Sequence, residues 1–223
     1  MTSSRLPGKV MAPILGEPMI SRQIERVRRS RLIDGLVVAT STDPSDDVLA
    51  AHCQALGVAV FRGPLDDVLG RFCGAIEAQP RAKTIVRLTA DCPLADWTVI
   101  DEVIAHHHAS GADYTANTPA VRTFPHGLDT EVVRAGALAE AGREASDPYE
   151  REHVTPFVNR RSGRYQLAWV SRLPSLAHLR WTVDVPGDLV FVRGVYEALY
   201  QGDPAFGSAA VVELPVNSAE GPP

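Results

Sequence analysis

Several side chains that could bind phosphate lie close together near the N-terminus, within residues 3–9. Two hydroxyls, Arg5, Gly8 and Lys9 fall in this short segment, and Pro7 restricts its flexibility. Exposed amides, a guanidinium and an ammonium are the groups that a polyphosphate needs. The segment lacks both the GxxxxGK[ST] spacing of a P-loop and GxGxxG. It therefore indicates either a triphosphate site of another kind or a solvated N-terminus.

Two aspartates each follow a strand-like run that leads into a proline-containing turn. Asp91 comes after Val86–Leu88 and precedes Pro93, and Asp184 ends the run Arg180–Val183. Ligands of open α/β sheets bind outside the carboxyl ends of strands, where these carboxylates could hold a hydrated Mg²⁺ ion. A helix cap is the alternative for each residue, and a shared metal requires that the two strands lie near one another.

Two other reactive patterns are weaker. Successive helical residues point about 100° apart, so His106–His108 could not converge on one metal ion. Cys92 lies beside Asp91 but has no evident base, which argues against a nucleophile. Three cysteines without CxxC spacing indicate free thiols.

Short β-branched runs alternate with longer amphipathic stretches, as in βα units around a parallel sheet. The predicted strands are Gly35–Thr40, Val58–Phe61, Thr84–Thr89, Asp113–Asn117, Asp129–Arg134, Tyr165–Val170 and Leu179–Val183. The predicted helices are Pro18–Ser30, Pro44–Leu56, Leu65–Ala78, Asp96–His108, Pro148–Asn159 and Pro186–Tyr200. The pattern predicts a three-layer α/β sandwich with a mostly parallel sheet over residues 1–201.

Two segments interrupt this alternation. Pro119, Pro125 and Gly127 break the stretch between residues 113 and 134, where we expect an excursion or small lid near the site. Residues 202–223 are rich in Gly, Pro, Ser and Ala, and we expect a loosely ordered tail.

Composition limits the possible partners. A content of 45% hydrophobic and 22% charged residues is typical of a globular domain. The net charge of -5 disfavours binding to nucleic acid or to an anionic membrane. No run approaches the roughly 18 apolar residues of a membrane span, and the N-terminus has no apolar leader. These features predict a cytoplasmic protein.

Six segments together resemble the cytidylyltransferase family, in the branch of spore coat polysaccharide biosynthesis protein F. They are Ser4–Lys9, Asp66–Leu69, Thr89–Leu94, Gly127–Glu131, Asp147–Pro156 and Leu179–Asp184. The resemblance runs in order over about nine tenths of the chain, which makes it more specific than any single motif. It implies a relative of the enzymes that make CMP-sialic acid and CMP-ketodeoxyoctonate. It also implies a Rossmann-like fold, magnesium, CTP with a sugar or sugar acid as substrates, and a homodimer.

The resemblance assigns roles to individual residues. The basic signature loop, which should bind the triphosphate, falls on Ser4, Arg5 and Lys9. Asp91 matches the first metal aspartate, and Asp184 lies near the second metal position. Catalysis would depend on Arg5, Lys9 and Asp91. Arg62 and Arg71 match positions near the phosphates less securely.

Candidates for sugar recognition lie in the excursion and in the helix that follows it. They are Arg122, His126, Asp129, Glu131 and Arg151. A hydroxylated acid substrate requires such paired donors and acceptors.

The N-terminus departs from the family pattern, because relatives carry a β-strand and a further basic residue immediately before the signature. We therefore expect either a coding start upstream or an enzyme without its first strand.

The reaction that these features predict is a single in-line displacement. A sugar hydroxyl would attack the α-phosphorus of the triphosphate and release pyrophosphate. A glycosyltransferase that uses a nucleotide sugar, and a non-catalytic nucleotide-binding protein, are the alternatives. Pyrophosphate production distinguishes the nucleotidyltransferase from both alternatives.

Overall fold

The computed structural model describes residues 5–215. The strands are β1 (Pro13–Ile14), β2 (Glu17–Pro18), β3 (Val37–Ser41), β4 (Ala59–Gly63), β5 (Thr84–Arg87), β6 (Tyr114–Ala116), β7 (Glu131–Arg134) and β8 (Leu167–Trp169). The α-helices are α1 (Met19–Val27), α2 (Asp47–Ala55), α3 (Val68–Glu77), α4 (Trp97–Ser110), α5 (Ala135–Glu144), α6 (Pro148–His153), α7 (Pro156–Asn159), α8 (Pro186–Leu199) and α9 (Ser208–Val212). Among the described residues, no helix is long and apolar enough to cross a bilayer.

The main sheet has the strand order β5-β7-β6-β8. Strand β7 is antiparallel to both β5 and β6, and β8 is parallel to β6. Three of these four strands therefore run in one direction, and β7 runs in the other. The reversal follows from the connection, because an irregular loop and not a crossover helix joins β6 to β7. Strands β3 and β4 form a separate parallel pair.

Alternate residues of one strand face two different cores, which makes the molecule layered. Val132 belongs to a core with residues of α4 and α8, whereas Val133 belongs to a second core with residues of α5 and α7. Both side chains are fully buried. The sheet therefore lies between two helical layers, as predicted for a three-layer α/β sandwich.

Several elements differ from the sequence prediction, among them the short hairpin of β1 and β2, which was not predicted. Residues 179–183 form no regular strand, although Arg180 makes one parallel bridge with His126. The predicted helix Pro148–Asn159 is two short helices, because Pro156 starts a new one. Helix α5 was not predicted, and it contains two glycines, Gly136 and Gly142, which lower the helix propensity of its sequence.

The C-terminal segment is packed where the structure describes it, so the prediction of a loosely ordered tail is wrong for residues 206–214. Phe206 and Val211 are buried in the first core, against which Leu214 also packs. The Phe206 ring meets Tyr196 edge to face, at 5.3 Å between centroids. The prediction rested on the high content of small residues and gave no weight to the three apolar residues that pack against the core. Residues 216–223 lie outside the described part.

Candidate functional site

The Lys9 ammonium lies between the two aspartates that the sequence singled out. Its Nζ donates to Asp91 Oδ2 at 3.1 Å and to Asp184 Oδ1 at 3.1 Å. A third bond, of 2.7 Å, goes to the carbonyl of Val183. Gly8, with a φ of 70°, turns the chain into the short 3₁₀ segment that begins at Lys9. All three donors of the ammonium are therefore used within the site.

Backbone pairing brings the two aspartates together. The amide of Val183 donates to the carbonyl of Asp91 at 2.8 Å. Asp91 lies beyond the carboxyl end of β5, and Asp184 lies just ahead of α8. The segments that carry the two aspartates therefore lie side by side, which is the arrangement a shared metal requires, although residues 179–183 form no regular strand. The metal site stays a prediction.

Two arginines add positive charge beside Asp184. Arg5 pairs with Asp184 Oδ1 at 2.9 Å, although most of the Arg5 side chain is exposed. Arg180 pairs with Asp184 Oδ2 at 2.9 Å and with Asp188 at 3.1 Å. Burial alone would raise the pKa of Asp184, but hydrogen bonds from Arg180 and Lys9 and the charge of Arg5 hold it below its ordinary value. The carboxylate is thus anionic at neutral pH.

Arg180 and Asp188 were missed by sequence reasoning. Asp188 accepts hydrogen bonds from the backbone amides of Asp184 and Val185. These bonds fix the turn that presents Asp184. The available signals were the four-residue spacing of Arg180 and Asp184, and an acidic residue two positions after Pro186 at the start of a helix.

Cys92 is a poor nucleophile in this setting. The thiol is buried, and burial together with the charge of Asp91 raises its pKa far above neutral. Cys53, Cys73 and Cys92 are all free thiols, as expected from their spacing.

Arg62 and Arg71 bind backbone carbonyls in the loops after β3 and β4. Arg62 donates to the carbonyls of Ser41 and Asp43. Arg71 donates to those of Pro64 and Leu65. Within residues 5–215, no hydrogen bond or ion pair joins either arginine to Lys9 or to the two aspartates. Their contact with phosphates stays a prediction.

The excursion between β6 and β7 docks beside Asp184. His126 bridges Arg180 through two backbone hydrogen bonds, His126 N–H to Leu179 O at 2.9 Å and Trp181 N–H to His126 O at 2.7 Å. A Cβ at Gly127 would lie 2.8 Å from the backbone at residues 181–182, so only glycine fits. Arg122 and Asp129 pair through both guanidinium ends.

Glu131 and Arg151 are occupied by internal contacts. Glu131 accepts from Tyr114 and Thr155, each at 2.6 Å, and pairs with Arg87. Arg151 binds both oxygens of Asp67, at the start of α3, and two carbonyls at the end of α5. These bonds tie helices together. The substrate role of either residue stays a prediction that gains no support from its contacts.

The three histidines at residues 106–108 do not form a metal site. Within the described residues, no three His, Cys, Asp or Glu side chains converge as a metal centre. His107 is buried and hydrogen-bonded to Thr115 at 3.0 Å, whereas His106 and His108 are exposed. Ser4 lies outside the described residues.

Comparison with known proteins gives matches over most of the chain. A family model described as cytidylyltransferase matches residues 1–188. The spore coat polysaccharide biosynthesis protein SpsF of Bacillus subtilis (strain 168) is 35% identical over 207 residues, covering 88% of this chain and 83% of that protein. The 3-deoxy-manno-octulosonate cytidylyltransferase of Geobacter sulfurreducens is 35% identical over 121 residues, covering 54% of this chain and 44% of that protein.

Solved structures share the fold. A cytidylyltransferase from Leptospira borgpetersenii serovar Hardjo-bovis (strain JB197) superimposes with a TM-score of 0.91 at 25% identity, covering 100% of this chain and 94% of that one. A CMP:2-keto-3-deoxy-manno-octonic acid synthetase complexed with CTP gives a TM-score of 0.63 at 18% identity, covering 88% and 94%. The second likeness concerns the fold alone.

Proposed function

Since this chain belongs to the cytidylyltransferase family and is a nucleotidyltransferase, we propose that it joins a sugar or sugar acid to CTP and releases pyrophosphate, for the synthesis of a surface polysaccharide. The observation that carries this proposal is the position of Lys9. Its ammonium lies between Asp91 and Asp184, with Arg5 beside them, outside the carboxyl end of β5.

Arg5 and Lys9 bind the triphosphate in this proposal. Phosphate oxygens compete with the aspartates for these two cations, because an ammonium and a guanidinium pair with either kind of anion. The hydroxyl of the sugar attacks the α-phosphorus, and the bond from that phosphorus to the oxygen bridging the β-phosphorus breaks. The hydroxyl proton passes to water, and pyrophosphate leaves with its charge offset by Arg5 and Lys9.

Asp91 and Asp184 are the residues that would hold magnesium. The fit is supported by two carboxylates that already share one cation, since Mg²⁺ uses one or two carboxylates together with substrate phosphates. Bound there, the ion would offset charge on the phosphates and on the departing pyrophosphate.

The sugar would bind on the side of the excursion. This placement is supported by the bridge from His126 to Arg180, because Arg180 contacts Asp184 directly. Arg122, His126 and Asp129 are the side chains proposed to bind it. Their charges and ring nitrogens suit a hydroxylated acid. A homodimer and a cytoplasmic location are further parts of the proposal.

Pyrophosphate release tests the proposal most directly. The protein is assayed with each of the four ribonucleoside triphosphates against sugar acids and amino sugars, with and without Mg²⁺. We expect pyrophosphate with CTP and one class of sugar, in a magnesium-dependent reaction that Asp91→Asn suppresses and Asp34→Asn, at an exposed position, does not. Release of a nucleoside mono- or diphosphate from a nucleotide sugar would assign a glycosyltransferase instead. CTP binding without turnover against the whole panel would indicate a non-catalytic protein.

A further inference from the structure

The turn that carries Asp91 is held at its backbone by the region around Asp184. The carbonyl of Asp91 accepts a hydrogen bond from the amide of Val183 at 2.8 Å. Two residues further on, the carbonyl of Pro93 accepts a hydrogen bond of 2.8 Å from the hydroxyl of Tyr196, on α8. Tyr196 is 1% exposed, so water does not compete for this bond. One buried hydroxyl therefore joins the turn to the helix that begins two residues after Asp184.

A second buried donor holds the same turn from α1. Arg26, which is also 1% exposed, donates from Nε to the carbonyl of Ala95 at 2.7 Å. Its two terminal nitrogens are buried and have no hydrogen-bond partner among the described residues. The guanidinium instead packs against the ring of Phe206, at 4.4 Å from the centroid. A buried cation with unpaired nitrogens lowers stability, and such costly groups are retained mainly at functional sites.

Asp96 fixes the far end of the turn. Its buried side chain caps α4, because one carboxylate oxygen accepts from the amide of Thr98 at 2.8 Å. The other oxygen accepts from the amide of Ser208, at the start of α9, at 2.5 Å. The path of the turn between Asp91 and this anchor is then set by the two buried donors.

We propose that Tyr196 and Arg26 are positioning residues for Asp91. Both side chains are too deeply buried to touch a substrate, so they act through the backbone of the turn. The geometry that they preserve is the separation of the Asp91 and Asp184 carboxylates, which a shared metal must bridge. The inference rests on the proposed function, since the metal is part of that proposal.

Tyr196→Phe removes the hydroxyl and keeps the ring, and Tyr200→Phe is its matched control. Tyr200 lies at the end of the same helix, but its hydroxyl bonds to Glu25 at 3.1 Å. The first readout is amide exchange in the metal-free protein, measured by NMR. The amides of Val183 and Ala95 should exchange at least roughly threefold faster in Tyr196→Phe, because the carbonyls that they bond to belong to the loosened turn. Tyr200→Phe should leave both exchange rates unchanged.

The second readout is binding of Mn²⁺, a paramagnetic substitute for Mg²⁺, followed by electron paramagnetic resonance in the presence of CTP. Loss of a partner directly behind a metal ligand costs about 10–100-fold in metal affinity, and Tyr196 acts one step further back. We therefore expect Tyr196→Phe to bind Mn²⁺ roughly three- to tenfold more weakly than the unaltered chain, and Tyr200→Phe to bind it equally well. Turnover of Tyr196→Phe at limiting Mg²⁺ should fall by a similar factor and recover at high Mg²⁺, which a damaged fold would not do.

Arg26→Met separates positioning from stability. Methionine removes the donor to Ala95 together with a buried, unpaired charge, so the Tm should stay close to that of the unaltered chain. Mn²⁺ binding should nevertheless weaken as it does in Tyr196→Phe.

Three outcomes would decide against the inference. Equal exchange and equal Mn²⁺ affinity in Tyr196→Phe and Tyr200→Phe would overturn it. Faster exchange in Tyr196→Phe with unchanged Mn²⁺ affinity would assign Tyr196 a structural role only. If the unaltered chain bound no Mn²⁺ in the presence of CTP, the proposed metal site itself would be wrong, and the positioning role would fall with it.

Discussion

At the level of single residues, binding of the nucleotide and of the metal would be coupled through Lys9. In the structure, Lys9 neutralises part of the charge of Asp91 and Asp184, and Arg5 neutralises more. When phosphate oxygens engage Lys9 and Arg5, the two carboxylates regain uncompensated charge and bind a cation more strongly. Nucleotide and Mg²⁺ should therefore bind cooperatively.

Asp91→Asn should reduce turnover by on the order of 10²–10³-fold, equivalent to about 3–4 kcal/mol of transition-state stabilisation. The amide keeps the shape of the side chain but removes the charge that a metal requires. Asp184→Asn should act in the same direction and more mildly. Steady-state kinetics at varied Mg²⁺, with thermal melts to verify folding, measure both effects.

The double variant tests whether the two aspartates serve one ion. If they do, its loss is much smaller than the product of the single losses, because an emptied site cannot be emptied again. Fully multiplicative losses would assign separate roles. Wild-type turnover and magnesium dependence in either folded single variant would remove that residue from the metal site.

At the level of elements, helices and loops hold the site from outside it. The excursion is fixed at its base by Asn117, which donates to Leu128 O at 2.7 Å and accepts from Thr130 N–H at 2.8 Å. Helix α4 packs behind the sheet, and its last turn carries His107, which is hydrogen-bonded to Thr115 of β6. Burial of this imidazole favours its neutral form.

His107 should make stability pH-dependent. Burial, and then the charge of His108, lowers the pKa of His107 below its ordinary value of 6.5. The unfolded chain therefore binds a proton first, so the stabilising contribution is present above about pH 6.5 and is lost as the pH falls toward the folded pKa. The loss is at most about 1.4 kcal/mol per pH unit.

Urea unfolding between pH 7.5 and 5 measures this dependence. His107→Gln should flatten the decline of the unfolding free energy with falling pH, because the amide still bonds to Thr115 but does not titrate. His106→Gln, at an exposed position of the same helix, should keep the decline. Identical slopes for the two variants would contradict the prediction.

At the level of the whole molecule, the site joins segments that are far apart in the chain. Lys9 lies 82 residues from Asp91 and 175 from Asp184 along the chain. The N-terminal loop is thereby held to the carboxyl end of β5 and to the start of α8. A ligand that binds Arg5 and Lys9 exchanges these contacts for its own and should change the protection of the whole loop.

CTP with Mg²⁺ should slow amide exchange across Arg5–Met11. The phosphates add bonds to a loop that is held mainly by ion pairs and short backbone turns, including Lys9 N–H to Leu6 O at 3.2 Å. Mass-spectrometric exchange at saturating nucleotide measures the effect. Peptides from α5, in the second core, serve as the internal control. Unchanged exchange of the loop would show that it is not the phosphate site.

The sequence by itself determined the family and the α/β layering, and it singled out Lys9, Asp91 and Asp184 as candidate site residues. The resemblance carried by the six segments is confirmed by the family match and by the relative at 35% identity. These features are local, because the period of apolar residues and the residue types in a turn are fixed by a few neighbours along the chain.

Only the tertiary structure decided which of these side chains meet. Pairing of Val183 with Asp91 places Lys9 between the two carboxylates, and Arg180 and Asp188 join them. The same packing directs Glu131 to Tyr114 and Thr155, and Arg151 to Asp67, away from the Lys9 site. It also reverses β7 relative to β5 and β6. These contacts join residues that are far apart in the chain, and they depend on how the two cores pack against one sheet. A short stretch of sequence does not determine that packing.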